Sequence, residues 1–236
     1  MSLLKIPLLL SSAIAAQVAS TAPHKSPSNE VVHQTFIEWI SMKDIKWGLP
    51  LTKATTWAIF LGEIAITVSH MIDPDALPSV MQPAVGLLRQ IEEMPITSPF
   101  LLGTALAVTG GFIRWWCFRT LGRFFTFKLS VRKGHKLVTS GPYAVVRHPS
   151  YMGGIIMYIG RVICFTSSTA LLRRSGFLNI PAMATIVWAW RVWRTLALFS
   201  YLGRINQEDE VLKSLAGDEW ENWAKVVRYK LLPGVY

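Results

Sequence analysis

Charge is scarce in this chain. Only 16% of its 236 residues are Asp, Glu, Lys or Arg, where a soluble domain would carry about 25%. Cysteine is scarcer: Cys117 and Cys164 both fall inside apolar runs, without metal-ligand spacing, so they read as buried structural thiols and not as a disulfide framework or a metal centre. There is no internal repeat and no low-complexity domain. There is also no glycine-rich phosphate loop, because Gly110-Gly111 lies within an apolar run that lacks the strand–turn–helix context. A dinucleotide-binding domain of the Rossmann type is thereby excluded. Acid is missing altogether between Phe118 and His148, a stretch that holds Arg119, Arg123, Lys128, Arg132, Lys133, Lys136 and Arg147.

What the chain has instead is apolar blocks. Half the residues are apolar (51%), gathered at Leu3–Ser20, Leu51–Ile72, Pro99–Phe118, Met152–Ala170 and Phe177–Leu202. Each approaches the roughly 20 residues that carry a helix across ~30 Å of hydrocarbon. The expected fold is therefore all-α, a multi-pass transmembrane protein of about five spans. Lys5 and the Ala/Ser-rich residues up to Ser20 also resemble a cleavable signal peptide; with four more spans following, a retained helix is the reading adopted. Thr21–Ser28 reads as a linker. Residues 1–110 form the N-terminal helices and linker, and residues 111–236 carry the last two spans and the C-terminal helices.

The net charge of +10 is distributed for a membrane and not for nucleic acid. Lys and Arg concentrate on cytosolic loops, which places the basic Phe118–His148 stretch in the cytosol. The loop Asp73–Met94, with Asp73, Asp75, Glu92 and Glu93 against Arg89, falls on the lumenal side. Lys25, Lys43, Lys46 and Lys53 agree with this threading; Arg173 and Arg174, expected to be lumenal, run against it.

Two polar clusters then meet the cytosolic boundary. The first is His135–Tyr151, HKLVTSGPYAVVRHPSY. Gly141-Pro142 signals a turn, and Pro149 fits the first turn of a helix, which leaves His148 near the N-cap with free N–H groups suited to an anion. The second is Arg204-Ile-Asn-Gln-Glu208-Asp209, where Arg204 and Glu208 share one helical face. It reads either as a surface ion pair or as a cation and an anion presented together to a ligand. Arg191 and Arg194 sit inside the last apolar run, where charge usually faces protein or water. Trp220 and Trp223 share a face, as packing or belt residues.

HKLVTSGPYAVVRHPSYMGG, an apolar hairpin, RINQEDEVL and GDEWENW together resemble the isoprenylcysteine carboxyl methyltransferases, over about Gly111–Pro233. The resemblance implies S-adenosylmethionine held by His135, Lys136, Leu137, Val138, Tyr143, His148, Pro149, Ser150, Tyr151 and Glu208. It also implies that Arg204 faces the prenylated substrate, with Arg204 and Glu208 as the catalytic pair. The implied substrates are prenylated CaaX proteins, and the implied place is the endoplasmic reticulum membrane with the site facing the cytosol. Two departures stand out. Asp209 replaces a second glutamate, and Ala216-Gly217, Trp220 and Trp223 replace a Phe-Gly and tyrosine pattern. Phospholipid N-methylation, NADPH-dependent sterol reduction and a non-catalytic membrane scaffold remain as rival readings.

Overall fold

The computed structural model of the chain describes residues 3–24, 36–128, 130 and 134–235. Lys25, positions 26–28 of the predicted linker, and Arg132 and Lys133 of the basic stretch lie outside the described residues. Helices dominate and no β-strand occurs among the described residues. In order they are α1 (Lys5–Ala19), α2 (Phe36–Lys43), α3 (Leu49–Ser69), α4 (Gln82–Arg89), α5 (Ser98–Leu121), α6 (Pro149–Thr166), α7 (Leu171–Arg174), α8 (Pro181–Gly203), α9 (Ile205–Ala216) and α10 (Asp218–Val226). A π-helical turn, Asp44–Gly48, joins α2 to α3.

Local sequence sets the ends of these elements. Thr97 caps α5 by accepting from the Phe100 amide, and Pro99 occupies the first turn, where its missing N–H costs nothing. Gly122 (φ 52°) and Gly217 (φ 50°) stop α5 and α9 in a backbone region that other residues avoid. At α6 the non-helical His148 hands over directly to Pro149.

Three helical stretches are long and apolar enough to cross a membrane: Phe36–Ser69, Ser98–Phe124 and Pro149–Arg174. They contain the predicted third and fourth spans and all but the last three residues of the second. Of the other two predicted spans, α1 has only 15 residues, about 22 Å of helix. The last one, α8, has 23 residues but dilutes its apolar surface with Arg191 and Arg194. It still exposes Ile186, Trp188, Val192, Leu196 and Phe199, an apolar face of the kind that hydrocarbon covers.

Antiparallel α5 and α6 form the axis of the bundle, and glycine lets them touch. A methyl on Gly110 would lie 2.4 Å from the Gly153 carbonyl oxygen, and one on Gly103 would lie 2.7 Å from that of Gly160. Gly111 faces the other way, 2.7 Å from the Ala15 side chain by the same measure, so α1 packs against the opposite flank of α5. Small residues at such crossings let backbones approach closely. The Gly110-Gly111 pair, uninformative as a motif, is the point where three helices meet. It lies mid-α5, so the 1–110 and 111–236 portions share a helix. Arg174 pairs with Glu92, which sets this apparent exception to the charge rule beside the acidic loop.

Candidate active site

The RHP turn is assembled from both sides. Gly141–Ala144 forms a short 3-10 turn that buries Tyr143 in a cluster with Cys117, Phe118, Phe125, Trp223 and Val227. The Trp223 indole donates to the Tyr143 carbonyl at 3.3 Å. The amides of Arg147 and His148 then donate to the carbonyls of Tyr229 and Lys230, at 2.9 and 2.8 Å. The tail after α10 thus latches the turn whose last residue opens α6. Trp220 lies under the Arg147 guanidinium, 5.7 Å from ring to charge. Both indoles pack against this turn, and Trp223 also lines the cavity described below.

His148 is buried, and both of its ring nitrogens meet carboxylates: Nε2 with Asp209 Oδ1 at 2.9 Å and Nδ1 with Glu208 Oε2 at 3.5 Å. Only an imidazolium can donate from both nitrogens. Burial presses the His148 pKa down, but the hydrogen bonds and charges of Asp209 and Glu208 outweigh it and hold the pKa above 6.5. For Glu208 burial pushes upward; His148 and Arg204 overcome it and keep the carboxyl below 4.5. Tyr151 donates its hydroxyl to Glu208 Oε1 at 2.5 Å.

Arg204 is 1% exposed, so it is no surface ion pair. Its Nε faces Glu38 of α2 at 3.1 Å, its Nη1 donates to the Phe127 carbonyl at 2.9 Å and its Nη2 reaches Glu208 at 3.5 Å. Arg147 pairs with Asp209 at 3.1 Å. Three cations (Arg147, His148, Arg204) therefore face three anions (Glu38, Glu208, Asp209), with Lys230 at the rim 3.9 Å from Asp209.

This network borders a cavity of about 220 Å³. Nine of the ten predicted cofactor residues line it: His135, Lys136, Leu137, Val138, Tyr143, His148, Ser150, Tyr151 and Glu208, and Arg204 joins them. Pro149 does not; it is buried at the helix start. The cavity continues between α6 and α8 to Tyr158, Arg161, Arg194 and Tyr201. Arg194, one of the two arginines singled out in the last apolar run, is claimed by Asp44. Arg191, the other, instead lies over Trp188 and reaches the Phe165 carbonyl.

Several participants had no sequence signal. Glu38 and Asp44 sit in the N-terminal half without any motif, and Arg161 hides in an apolar run. Asp209 and Arg147 could have been found. Adjacent Arg147-His148 and adjacent Glu208-Asp209 form a charge-complementary pair of dipeptides, each at the same boundary.

The donor set suits an S-adenosylmethionine-like ligand. Glu208 is an anion able to meet an ammonium. Leu137, Val138, Leu212 and Leu215 line an apolar wall fit for a purine. His135 Nδ1 is buried with no hydrogen-bond partner among the described residues, a polar atom left for a ligand to satisfy. Burial also lowers the His135 pKa, which favours its neutral ring.

An all-helical protein with membrane-crossing helices and a charge-lined cavity at one end of the bundle is the class these features define. Residues 103–214 match the profile of the isoprenylcysteine carboxyl methyltransferase (ICMT) family. The matched stretch includes both polar clusters and stops short of the GDEWENW tail. Among curated relatives, the chain is 28% identical over 127 residues to protein-S-isoprenylcysteine O-methyltransferase B of Arabidopsis thaliana, covering 53% of this chain and 55% of the relative. It is 33% identical over 95 residues to the protein-S-isoprenylcysteine O-methyltransferase of Schizosaccharomyces pombe, covering 40% and 32%. It is also 27% identical over 118 residues to the delta(14)-sterol reductase erg24A of Aspergillus fumigatus, covering 46% of this chain and 24% of the reductase. The chain spans little more than half the length of the first of these relatives. No solved structure matches it.

Proposed function

We propose that this chain is an S-adenosylmethionine-dependent methyltransferase that esterifies the α-carboxylate of the C-terminal prenylcysteine of CaaX-processed proteins. It works in the endoplasmic reticulum membrane with its cofactor site facing the cytosol. The observation that carries this reading is the Glu208–His148–Tyr151–Arg204 network bordering one cavity that continues between α6 and α8. The cofactor supplies a methyl group on a sulfonium centre.

The residues do the rest. Glu208, held ionised and oriented by His148, Tyr151 and Arg204, takes the ammonium of the methionyl part. His135 and Lys136, with Leu137 and Val138, border the adenosyl part; Tyr143 braces that wall and Ser150 and Pro149 open the helix beneath it. Arg204 locks Glu208 to Glu38 and borders the acceptor. A C-terminal carboxyl, with a pKa of about 3.5, is already an anion at pH 7 and needs no base. Methyl transfer then requires an in-line approach and exclusion of water, which a buried cavity between α6 and α8 provides. Leu198, Leu202 and Ile155 give the prenyl tail an apolar course.

This geometry favours the carboxylate over the amine of a phospholipid. An amine must lose a proton before it attacks, and His148, clamped between two carboxylates, keeps its own. Tritiated S-adenosylmethionine offered with a prenylcysteine, with phosphatidylethanolamine or with no acceptor tests the assignment. Base-labile counts on the prenylcysteine alone support it; base-stable counts on the phospholipid, or NADPH oxidation with a sterol, would replace it.

A further inference from the structure

Arg161 is a cavity-lining arginine for which no carboxylate partner occurs among the described residues. It lies on α6, 12 residues beyond Pro149, about 18 Å along the helix. Its Nη2 donates to the Thr56 hydroxyl at 2.7 Å and its charge lies 5.6 Å from the Phe165 ring. Its Nε is buried without a hydrogen-bond partner, as are those of Arg147 and Arg204, but unlike those two it has no carboxylate within ion-pair distance among the described residues. Arg194 is near enough to repel it, and Asp44, which already accepts from Tyr201 at 2.9 Å, pairs with Arg194. Two cations thus meet in this part of the cavity, and the nearby anion, Asp44, is held by Arg194 and Tyr201.

The other cavity arginines are answered. Arg204 has Glu38, Glu208 and the Phe127 carbonyl. Arg114 donates to the carbonyls of Ala19 and Ser150 and lies 5.4 Å from both the Phe118 and Phe127 rings. A cation within a membrane-crossing helix is costly and is kept where it faces a ligand path. Helical side chains lean toward the N-terminus, so the Arg161 guanidinium leans back toward the His148 end. Its planar fork matches a carboxylate.

We propose that Arg161 is the anchor for the acceptor's carboxylate, which makes the cavity selective for amphipathic carboxylates and repels amines. The role of Arg204 is then to position Glu208. The assignment rests on the carboxyl-methylation reading only for the identity of the acceptor. Two probe pairs separate the two: N-acetyl-S-farnesylcysteine with its carboxamide, and palmitate with palmitamide. Each is titrated into the full chain in nanodiscs saturated with S-adenosylhomocysteine. The wild-type protein should bind each carboxylate about tenfold or more tightly than its amide. Arg161→Gln should level both pairs while S-adenosylhomocysteine affinity and Tm stay close to wild type. Arg161→Lys, which keeps the charge and loses the fork, should fall between, and it decides the matter if Arg161→Gln does not fold. Preference retained in full by the variants overturns the assignment. Preference lost, with no methylation of the prenylcysteine by the wild type, upholds Arg161 as a carboxylate site and overturns the esterification reading instead.

Discussion

Two buried ion clusters occupy opposite ends of the bundle, and they differ in what they leave open. At one end Lys5 pairs with Glu63, donates to the Met94 carbonyl at 2.6 Å and lies over the Phe100 ring. The void beside them is about 10 Å³, room for a single water at most. At the other end Arg147, His148, Arg204 and Glu208 border about 220 Å³, backed by Glu38 and Asp209, and His135 Nδ1 is left unsatisfied. Burial of charge is common to both ends. A buried pair that closes on itself ties helices together; one that opens on a cavity with an orphaned donor or acceptor is prepared for a ligand.

The largest expected effect breaks the closed end. Lys5→Met leaves Glu63 without its cation and should cost on the order of 3–5 kcal/mol of stability. The folded fraction should still bind S-adenosylhomocysteine with unchanged affinity. Adding Glu63→Gln should recover most of the loss, because the stranded charge is then gone. Thermal unfolding and calorimetric titration on the two variants read both halves of this expectation. Weakened cofactor binding in the folded fraction would erase the distinction between the two ends.

Glu208→Gln should show the reverse. Losing a charge-assisted contact to an ammonium costs about 2–3 kcal/mol, or thirty- to two-hundred-fold in affinity. Tm should move little, because Asp209 still holds His148 and Glu38 still holds Arg204. His148→Ala should likewise weaken cofactor binding more than it disturbs folding. A Tm loss equal to that of Lys5→Met, with affinity intact, would make the open network structural too.

Gly110→Ala tests the frame common to both ends. The added methyl would meet the Gly153 carbonyl and Met157 amide at 2.4 Å, so α5 and α6 must part, at about 1–3 kcal/mol. α5 carries Arg114 and α6 opens at the RHP turn, so stability and cofactor affinity should fall together. A drop in one alone would show that the site is decoupled from the α5–α6 crossing.

The parts of this architecture legible in the sequence are those that depend on near neighbours. Apolar length located α1, α3, α5, α6 and α8 to within a few residues, and the turn chemistry of Gly141-Pro142 and Pro149 placed the start of α6. The His135–Tyr151 stretch, together with Glu208 of the second cluster, flagged nine residues that do line the cavity. What escaped depends on partners far apart in the chain. Glu38 meets Arg204 and Asp44 meets Arg194 across more than a hundred positions, and each acid reads alone as an ordinary helix surface charge. Arg204 and Glu208 looked like a possible surface pair because i,i+4 spacing says nothing about burial. Arg161 was invisible for the same reason, since a lone cation in an apolar run declares a cost but not the group that offsets it.

The smallest expected effect is a pH dependence belonging to the open end. His148 has its folded pKa raised above 6.5, because Asp209 and Glu208 outweigh the burial that would lower it. A raised cationic group contributes stability that is complete below 6.5 and is lost as pH climbs through the folded value. Glu208, lowered below 4.5 against the opposing pull of burial, contributes above 4.5 and loses that contribution as pH falls through its folded value. The network is whole between these limits. Tm and S-adenosylhomocysteine affinity should therefore be level through the weakly acidic range and decline together on the alkaline side. In His148→Asn the alkaline limb should flatten, while Lys5→Met should keep it at a lower Tm. An alkaline limb that survived His148→Asn unchanged would assign the titration to another group and remove the imidazolium from the description of the site.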